Sequence, residues 1–505
     1  MLNKQKHTEN RVTAWLHEEL IQKKFVSPLG IVILAIIAGF LGILFTDKDF
    51  VIIPFAVIGV FLGIILLYYC IVKPLTGFYI TTTIAFFAFY PSHLTGLDFP
   101  ISSAIEVLVL FLYIGTYVYA KKNAAPKGGL IGTFISVTLI IYSAYLICEA
   151  FNPNVPNVNG WFFSTKRYFV FMLIYSIAYD LIDTPDKLRY FFKYWIVFSF
   201  FAALYGCYQK WFGYLPMELH YIMSSPVEYK LLFQGGSLRI FSFLSDVVSF
   251  GVLCGSMAVM TLLLAINEKV QKTKFILWFF TIIFILGMLY SGTRTTYFMI
   301  PAGLSLYILL TIQSKRTLMI IFGSFLAIFF IMFLPVNNGP LNRFRSAFNS
   351  KDESLNVRDM NRHYIQPYIY HHPFGGGVST SGGEGKHYYP DHPLAGFPPD
   401  SGYLKFALEQ GWIGLFLIVI YNLSIFYQGI RCYFRMRVKE YKLCMAALLA
   451  MLFSTIITQY AQVSIGQFPY TIFIFSSLSL IKRLMEFDEA KTAQVKEKAG
   501  VQLPN

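Results

Sequence analysis

Charge is what this sequence has least of. Only 13% of its 505 residues are Asp, Glu, Lys or Arg, against 56% hydrophobic. A soluble protein with so few ionised side chains would present one continuous apolar surface. Such a chain also lacks the charge that keeps disordered segments solvated. Acidic residues are the scarcer sign, 27 against 41 basic, for a formal charge of +14. In a membrane protein such an excess records topology first. No basic tract with interleaved aromatics stands in a polar domain, so nucleic acid is dropped as a partner. The six cysteines (Cys70, Cys148, Cys207, Cys254, Cys432 and Cys444) lie within or beside apolar runs. That excludes a disulfide framework and any CxxC metal site. There is no internal repeat, which removes support for an inverted-repeat transporter. Residues 1–27 have no uncharged core and no small-residue cleavage site, unlike a cleavable signal. Instead Trp15, Leu16, Leu20 and Ile21 fall at helical spacing among charges, as in an interfacial segment on the cytoplasmic side.

What is present is long apolar runs, rich in the 51 Phe and 34 Tyr. A bilayer span needs roughly 20 such residues. About fourteen stretches qualify, and losing a pair would leave their alternation intact, so 12–14 spans are expected. The expectation is an all-α, polytopic helical bundle. Eleven spans fill 28–334, the third over Leu75–Tyr90, the sixth over Tyr168–Leu181, the seventh over Tyr194–Tyr208 and the eighth over Ile240–Ile266. A large external loop fills 335–411, three more spans fill 412–481, and a polar cytoplasmic tail fills 482–505. With an inside N-terminus, 27 of the 41 Lys and Arg fall on the inner side. The long loop falls outside, and loops of that length in compact proteins are usually functional.

Topology does not explain the basic residues left outside. Lys166 and Arg167 open the sixth span, Arg239 opens the eighth, and Arg294 closes the ninth in Ser291-Gly292-Thr293-Arg294. Arg343, Arg345, Arg358 and Arg362 stand in the loop. Guanidinium is permanently charged and grips phosphate through two parallel N–H bonds. A cluster of them at headgroup level reads as a site for a phosphate-bearing lipid; the bland alternative is snorkelling to headgroups. Small polar residues beside Arg294 add backbone N–H groups that can bind an anion. Asp246, seven residues after Arg239, would share a helix face with it inside the eighth span. There it is either a site residue or a partnered interior carboxylate. Glu106 lies near an outer span end, where a solvated carboxylate is expected.

The loop ends Pro399-Asp400-Ser401-Gly402, followed by Gly411 and Gly414. Upstream it carries His372-Pro373-Phe374-Gly375-Gly376-Gly377 and, earlier, Arg358. Here the chain resembles the bacterial O-antigen ligase and polysaccharide polymerase superfamily. The shared pattern is His and a small amide or hydroxyl residue, nine residues, Gly, two residues, then a small residue. Asp400 stands where the family has histidine. His372 to Gly377 looks like the family's Pro-x-Gly-x-Gly turn, and Ser291 to Arg294 resembles its Ser-x-x-Arg. The resemblance covers roughly 239–414.

It implies a metal-independent glycosyltransferase without cofactor, in the bacterial inner membrane with a periplasmic active face. The donor would be an undecaprenyl-diphosphate-linked glycan and the acceptor another glycan or lipid A-core, in surface polysaccharide or lipopolysaccharide synthesis. Diphosphate is then the leaving group, and Arg239, Arg294, Arg358 and Arg167 are its expected ligands. Arg294 and Arg358 would stabilise the developing charge. Asp400 would take the acceptor proton; otherwise it caps the helix beginning near Ser401. His392 is the backup base. His372, Tyr403 and Asp246 are further substrate-binding candidates, and Tyr388, Tyr389 and Phe397 could stack on sugar. His371, His372, His387 and His392 match no compact metal-ligand spacing. The alternatives are a flippase or transporter, and a structural assembly protein with a degenerate site. A transporter would concentrate ionisable groups at mid-membrane, whereas here they gather at one interface.

Overall fold

The computed structural model describes residues 63–96, 100–122, 130–234, 236–312, 323 and 353–498. The interfacial N-terminal segment, the first expected span, most of the second, all of the eleventh but residue 323, and Arg343 and Arg345 lie outside the described residues. The described chain is helical apart from one antiparallel hairpin of two-residue strands. In order it runs α1 (Gly63–Val72), α2 (Pro74–Phe86), α3 (Tyr90–Thr95), α4 (Ile101–Lys122) and α5 (Phe134–Cys148). Then come α6 (Asn159–Leu181), α7 (Pro185–Phe212), α8 (Pro216–Ser224), α9 (Pro226–Leu232), β1 (Phe233–Gln234) and β2 (Ser237–Leu238). They are followed by α10 (Val247–Asn267), α11 (Gln271–Tyr290), α12 (Arg294–Tyr297), α13 (Met299–Leu310), α14 (Glu353–His371) and α15 (Gly382–Tyr388). The last three are α16 (Gly402–Arg435), α17 (Lys439–Thr458) and α18 (Tyr470–Lys498). Among the described residues seven helices are long and apolar enough to cross a membrane. The protein is a multi-pass helical membrane bundle.

Several helices extend past the apolar runs that announced them. The seventh expected span, Tyr194–Tyr208, becomes the 28-residue α7. Thr184 caps it by accepting from Lys187 N, Pro185 supplies a preset φ, and Asp186 favours the first turn. The sixth likewise starts nine residues early, at Asn159. The eighth is shorter than expected. Ser242 adopts φ +59°, and α10 starts only at Val247. Asp246 is therefore not a mid-span carboxylate, and Arg239 is not on its helix face. Asp246 is the N-cap: Oδ1 accepts from Val248 N at 2.7 Å and Ser249 N at 2.9 Å. A carboxylate placed there satisfies two of the orphan donors of the first turn.

Helix α10 sits at the centre, packed on α7, α11, α13 and α17. In lipid, helices gain little hydrophobic energy from each other, so close approach and hydrogen bonds hold them. Both are present. A Cβ on Gly251 would sit 2.5 Å from Ser291 Oγ, so only glycine lets α10 approach the end of α11 this closely. Ser256 and Thr455 hydroxyls each lie 2.5 Å from Tyr470 OH, tying α10 and α17 to α18. Thr281 of α11 donates to Thr261 of α10 at 2.9 Å.

The polar loop folds onto one end of this bundle through α14, α15 and the first turns of α16. Helix α16 breaks at Gly411, whose φ is 64° and ψ −162°. The break is capped by the glycine turn after α14: Gly376 N donates to Leu408 O at 2.7 Å and Gly377 N to Glu409 O at 2.8 Å. Trp412 N returns a bond to Pro373 O at 3.0 Å. These are the helix-end groups that need outside partners. A Cβ on Gly411 would lie 1.9 Å from Pro373 O. Gly411→Ala should therefore destabilise the fold by about 3 kcal/mol or more, from left-handed strain plus the clash. Thermal unfolding in detergent against wild type checks this; an unchanged midpoint would refute the capping role.

Candidate functional site

Two of the cavities among the described residues bear on the expected site. The first is about 670 Å³ and is lined by Arg239, Arg294, Asp246, His93 and Thr293, with Tyr460, Ala461 and Gln462 on the far wall. Its floor is the turn between α11 and α12. Gly292 takes φ +62° there, and Thr293 N donates to Ser291 Oγ at 3.2 Å. Arg239, at the exit of the hairpin, is fixed on this turn. Its Nε donates to Ser291 O at 3.1 Å and one terminal nitrogen to Thr293 Oγ1 at 2.9 Å. Tyr214 OH bonds Arg239 O at 2.6 Å, and Ile240 N bonds Tyr290 O at 3.1 Å. Two guanidinium groups separated in sequence thus share one cavity. Asp246 shares it too, with Ser245 and Ser249 hydroxyls each 3.0 Å from Oδ2.

The loop reaches this cavity through Arg362, which donates to Tyr460 O at 3.3 Å and stands over the Tyr460 ring at 5.0 Å. Arg358 lies one turn earlier on α14; its side chain is outside the described ones. Asp400 is half-buried beside the same strip of chain. Ser401 Oγ donates to Gln459 O at 3.1 Å and Gly402 N to the same oxygen at 2.9 Å, one residue before Tyr460. Ser401, not Asp400, is the N-cap of α16, accepting from Leu404 N at 3.4 Å. Asp400 therefore does not serve as the cap, and it does not line the first cavity.

The second cavity, about 320 Å³, lies between α5, α6, α16, α17 and α18. Tyr142, Tyr168, Tyr403, Phe406, Tyr421 and Phe475 are among its walls. Arg167 lines this cavity, apart from Arg239 and Arg294. It is 3.6 Å from Glu106 and 3.8 Å from Glu384. Lys405 stands 2.9 Å from Glu384 and 3.8 Å from Glu409. Glu409 is buried, accepting from Ser379 N at 3.0 Å and bonding the Ser381 hydroxyl. Burial alone would raise the Glu384 carboxyl, but Lys405 and Arg167 outweigh it and hold it below its ordinary value. Cations and carboxylates balance here, so this cavity suits an uncharged polar ligand better than an anion. Glu106, expected at a solvated span end, is instead buried at 2.7 Å from Lys166.

The loop histidines face neither cavity. His372 stacks on Tyr368 at 4.0 Å, with Nδ1 2.9 Å from Tyr368 O. His392 Nδ1 accepts from Leu394 N at 3.1 Å, and burial followed by His372 pushes its pKa down. His372 O accepts from Gly375 N at 2.8 Å, and His392 packs the glycine turn: a Cβ on Gly376 would meet Tyr368 OH at 2.7 Å and His392 Cε1 at 2.8 Å. Tyr389 is buried against Gly160, and Tyr388 stacks on Phe163 at 5.7 Å. Among the described residues no group of His, Cys, Asp and Glu could hold a metal ion.

The stretch carrying Arg294, α14, the glycine turn and Asp400 can be set against known families. Residues 279–419 match the O-antigen ligase family model. The chain is thus a multi-pass membrane protein in which one stretch, residues 279–419, is similar to the O-antigen ligase family. No curated protein matches it. The matched stretch takes in Arg294, Arg358, His372, His392, Asp400 and Tyr403, and leaves His93, Arg167, Arg239 and Asp246 outside it. Sequence reasoning missed His93 and Glu409 altogether. A lone histidine past a span end, or a lone carboxylate two residues before a glycine, carries no spacing signal; only burial marks them.

Proposed function

We propose that this protein is a membrane glycosyltransferase using an undecaprenyl-diphosphate-linked glycan on the periplasmic face of the bacterial inner membrane. It passes that glycan to a hydroxyl of a second carrier-linked chain or of lipid A-core. The observation that carries the reading is the pairing of Arg294, inside the stretch similar to the O-antigen ligase family, with Arg239 in one cavity of about 670 Å³. Charge develops on the leaving diphosphate, and fixed guanidinium groups in a water-poor site stabilise it without reorganising. Arg358, on the loop helix whose next turn meets Tyr460, is the third proposed ligand. Asp400 is the proposed base; it lines neither cavity, and it precedes Ser401 and Gly402, which bond Gln459 O one residue before the Tyr460 of the cavity wall. The balanced, tyrosine-lined second cavity suits the uncharged acceptor glycan, with Tyr403 as a contact; Arg167 serves there as an ion-pair member and leaves the diphosphate set. His372 and His392 are retained as supports of the glycine turn.

Surface glycan from a strain lacking the gene tests this. Shortened polymer identifies a polymerase. Full-length polymer retained on the carrier identifies a ligase. A wild-type glycan profile with no change in the carrier-linked pool would overturn both.

A further inference from the structure

His93 is 4% exposed, on the short helix α3, and it lines the arginine cavity. Its ring is held by Tyr221 at 4.8 Å and Phe241 at 4.9 Å between centroids. Its Nδ1 is buried without a hydrogen-bond partner. Buried polar atoms without partners are few in native structures, and each asks for a reason.

A neutral imidazole carries one proton on one of two nitrogens. An N–H orphaned in the interior is rarer and costlier than an under-used lone pair. The proton is therefore assigned to Nε2, on a ring that lines the cavity. Burial pushes the His93 pKa down to about 4, and the nearby Asp246 carboxylate opposes this without reversing it. The ring is thus neutral at pH 7, a donor that adds no charge. A diphosphate diester brings two negative charges to a cavity where Asp246 offsets part of the charge of Arg239 and Arg294. His93 adds a further uncharged donor to the Thr293, Thr295 and Gln462 side chains that line the same cavity.

The geometry points to His93 as a further ligand of the carrier's diphosphate, donating Nε2–H to a phosphate oxygen beside Arg239 and Arg294. This rests on the function proposed above. During transfer the bond between the anomeric carbon and the phosphate oxygen breaks, its electron pair going to the diphosphate. The acceptor oxygen bonds to that carbon, and its proton passes to Asp400. The His93 donor bond strengthens as the phosphate oxygen gains charge, the pattern that lowers a barrier.

The test uses the full chain in detergent, with binding of undecaprenyl diphosphate, inorganic diphosphate and phosphatidylglycerol read by thermal shift and titration. His93→Phe keeps a ring between Tyr221 and Phe241 and removes both nitrogens. Its unliganded melting temperature should equal or exceed that of wild type, since an unpartnered buried nitrogen is gone. Its affinity for undecaprenyl diphosphate should fall roughly 10- to 100-fold, the range of one hydrogen bond to a charged group. His93→Gln, which offers an amide N–H, should recover most of that loss. His93→Leu serves the same comparison should the phenylalanine variant fail to accumulate. The same loss with inorganic diphosphate supports recognition of the diphosphate itself. Unchanged undecaprenyl diphosphate affinity in His93→Phe or His93→Leu overturns the assignment. So does an equal His93-dependent shift with phosphatidylglycerol, because the site would then read a common headgroup. Arg294→Ala run alongside separates the two levels. Loss of binding there with none in His93→Phe removes His93 alone, whereas a wild type that binds no undecaprenyl diphosphate removes the function it rests on.

Discussion

Arg294→Ala is expected to lower glycan transfer by roughly 30- to 1000-fold, the effect of losing one charge-assisted bond of about 2–4 kcal/mol in a water-poor site. Arg294→Lys should recover little, because an ammonium is a point charge and cannot present the parallel N–H pair that grips a phosphate. The structure sharpens this expectation. Arg239 spends Nε and a terminal nitrogen on Ser291 O and Thr293 Oγ1, so it also holds the turn that carries Arg294. Arg239→Ala should therefore lose stability as well as transfer, whereas Arg294→Ala should lose transfer first. Transfer from the carrier-linked pool to surface glycan, measured at matched membrane levels, separates them. Full transfer by Arg294→Ala would remove that residue from the reaction.

Asp400→Asn is expected to abolish most turnover, by roughly 100-fold or more, as the loss of a general base does. The substitution preserves size and removes only the proton-accepting charge. Because Ser401 and not Asp400 caps α16, the helix keeps its first-turn partner in this variant. Its thermal stability should stay within a degree or two of wild type, on the order of a surface change. Asp400→His, which restores the histidine of the resembled family pattern, should retain partial activity. An Asp400→Asn protein with wild-type transfer would shift the search for the base to His392, which packs against Tyr368 and, like Asp400, lines neither cavity.

Much of this was legible in the sequence, for definite reasons. Apolar runs and their charge bias mark membrane helices because lipid tolerates little else. The run from Ile240 to Ser245 misled for the same reason: it is apolar and contiguous with α10, yet it forms turns because Asp246 captures the first-turn N–H groups. Arg294 stands out in the sequence because small polar residues surround it at a span end, and it lines one cavity with Arg239. Arg167 was misplaced because its partners Glu106 and Glu384 come from distant segments, and a sequence does not say which carboxylates fold beside which cations. The glycines of the loop were legible as a motif, but their task emerged only in space, as caps on the broken helix at Gly411. His93 gave no signal at all, since its significance lies in a nitrogen that three packed elements leave without a partner.

The last turn of α17 and the strip that follows it face two ways. Ile457, Thr458, Tyr460, Ala461 and Gln462 line the arginine cavity, while Thr455, Ile456, Gln459 and Val463 line the tyrosine cavity. One thin partition thus separates the two chambers. A guest that displaces this partition from one side changes the volume offered on the other. Linkage then requires that each guest alter the affinity of the other by the same factor. Donor and acceptor would be thermodynamically coupled through a single segment of backbone, and a bulkier side chain at Gln459 would tax both at once.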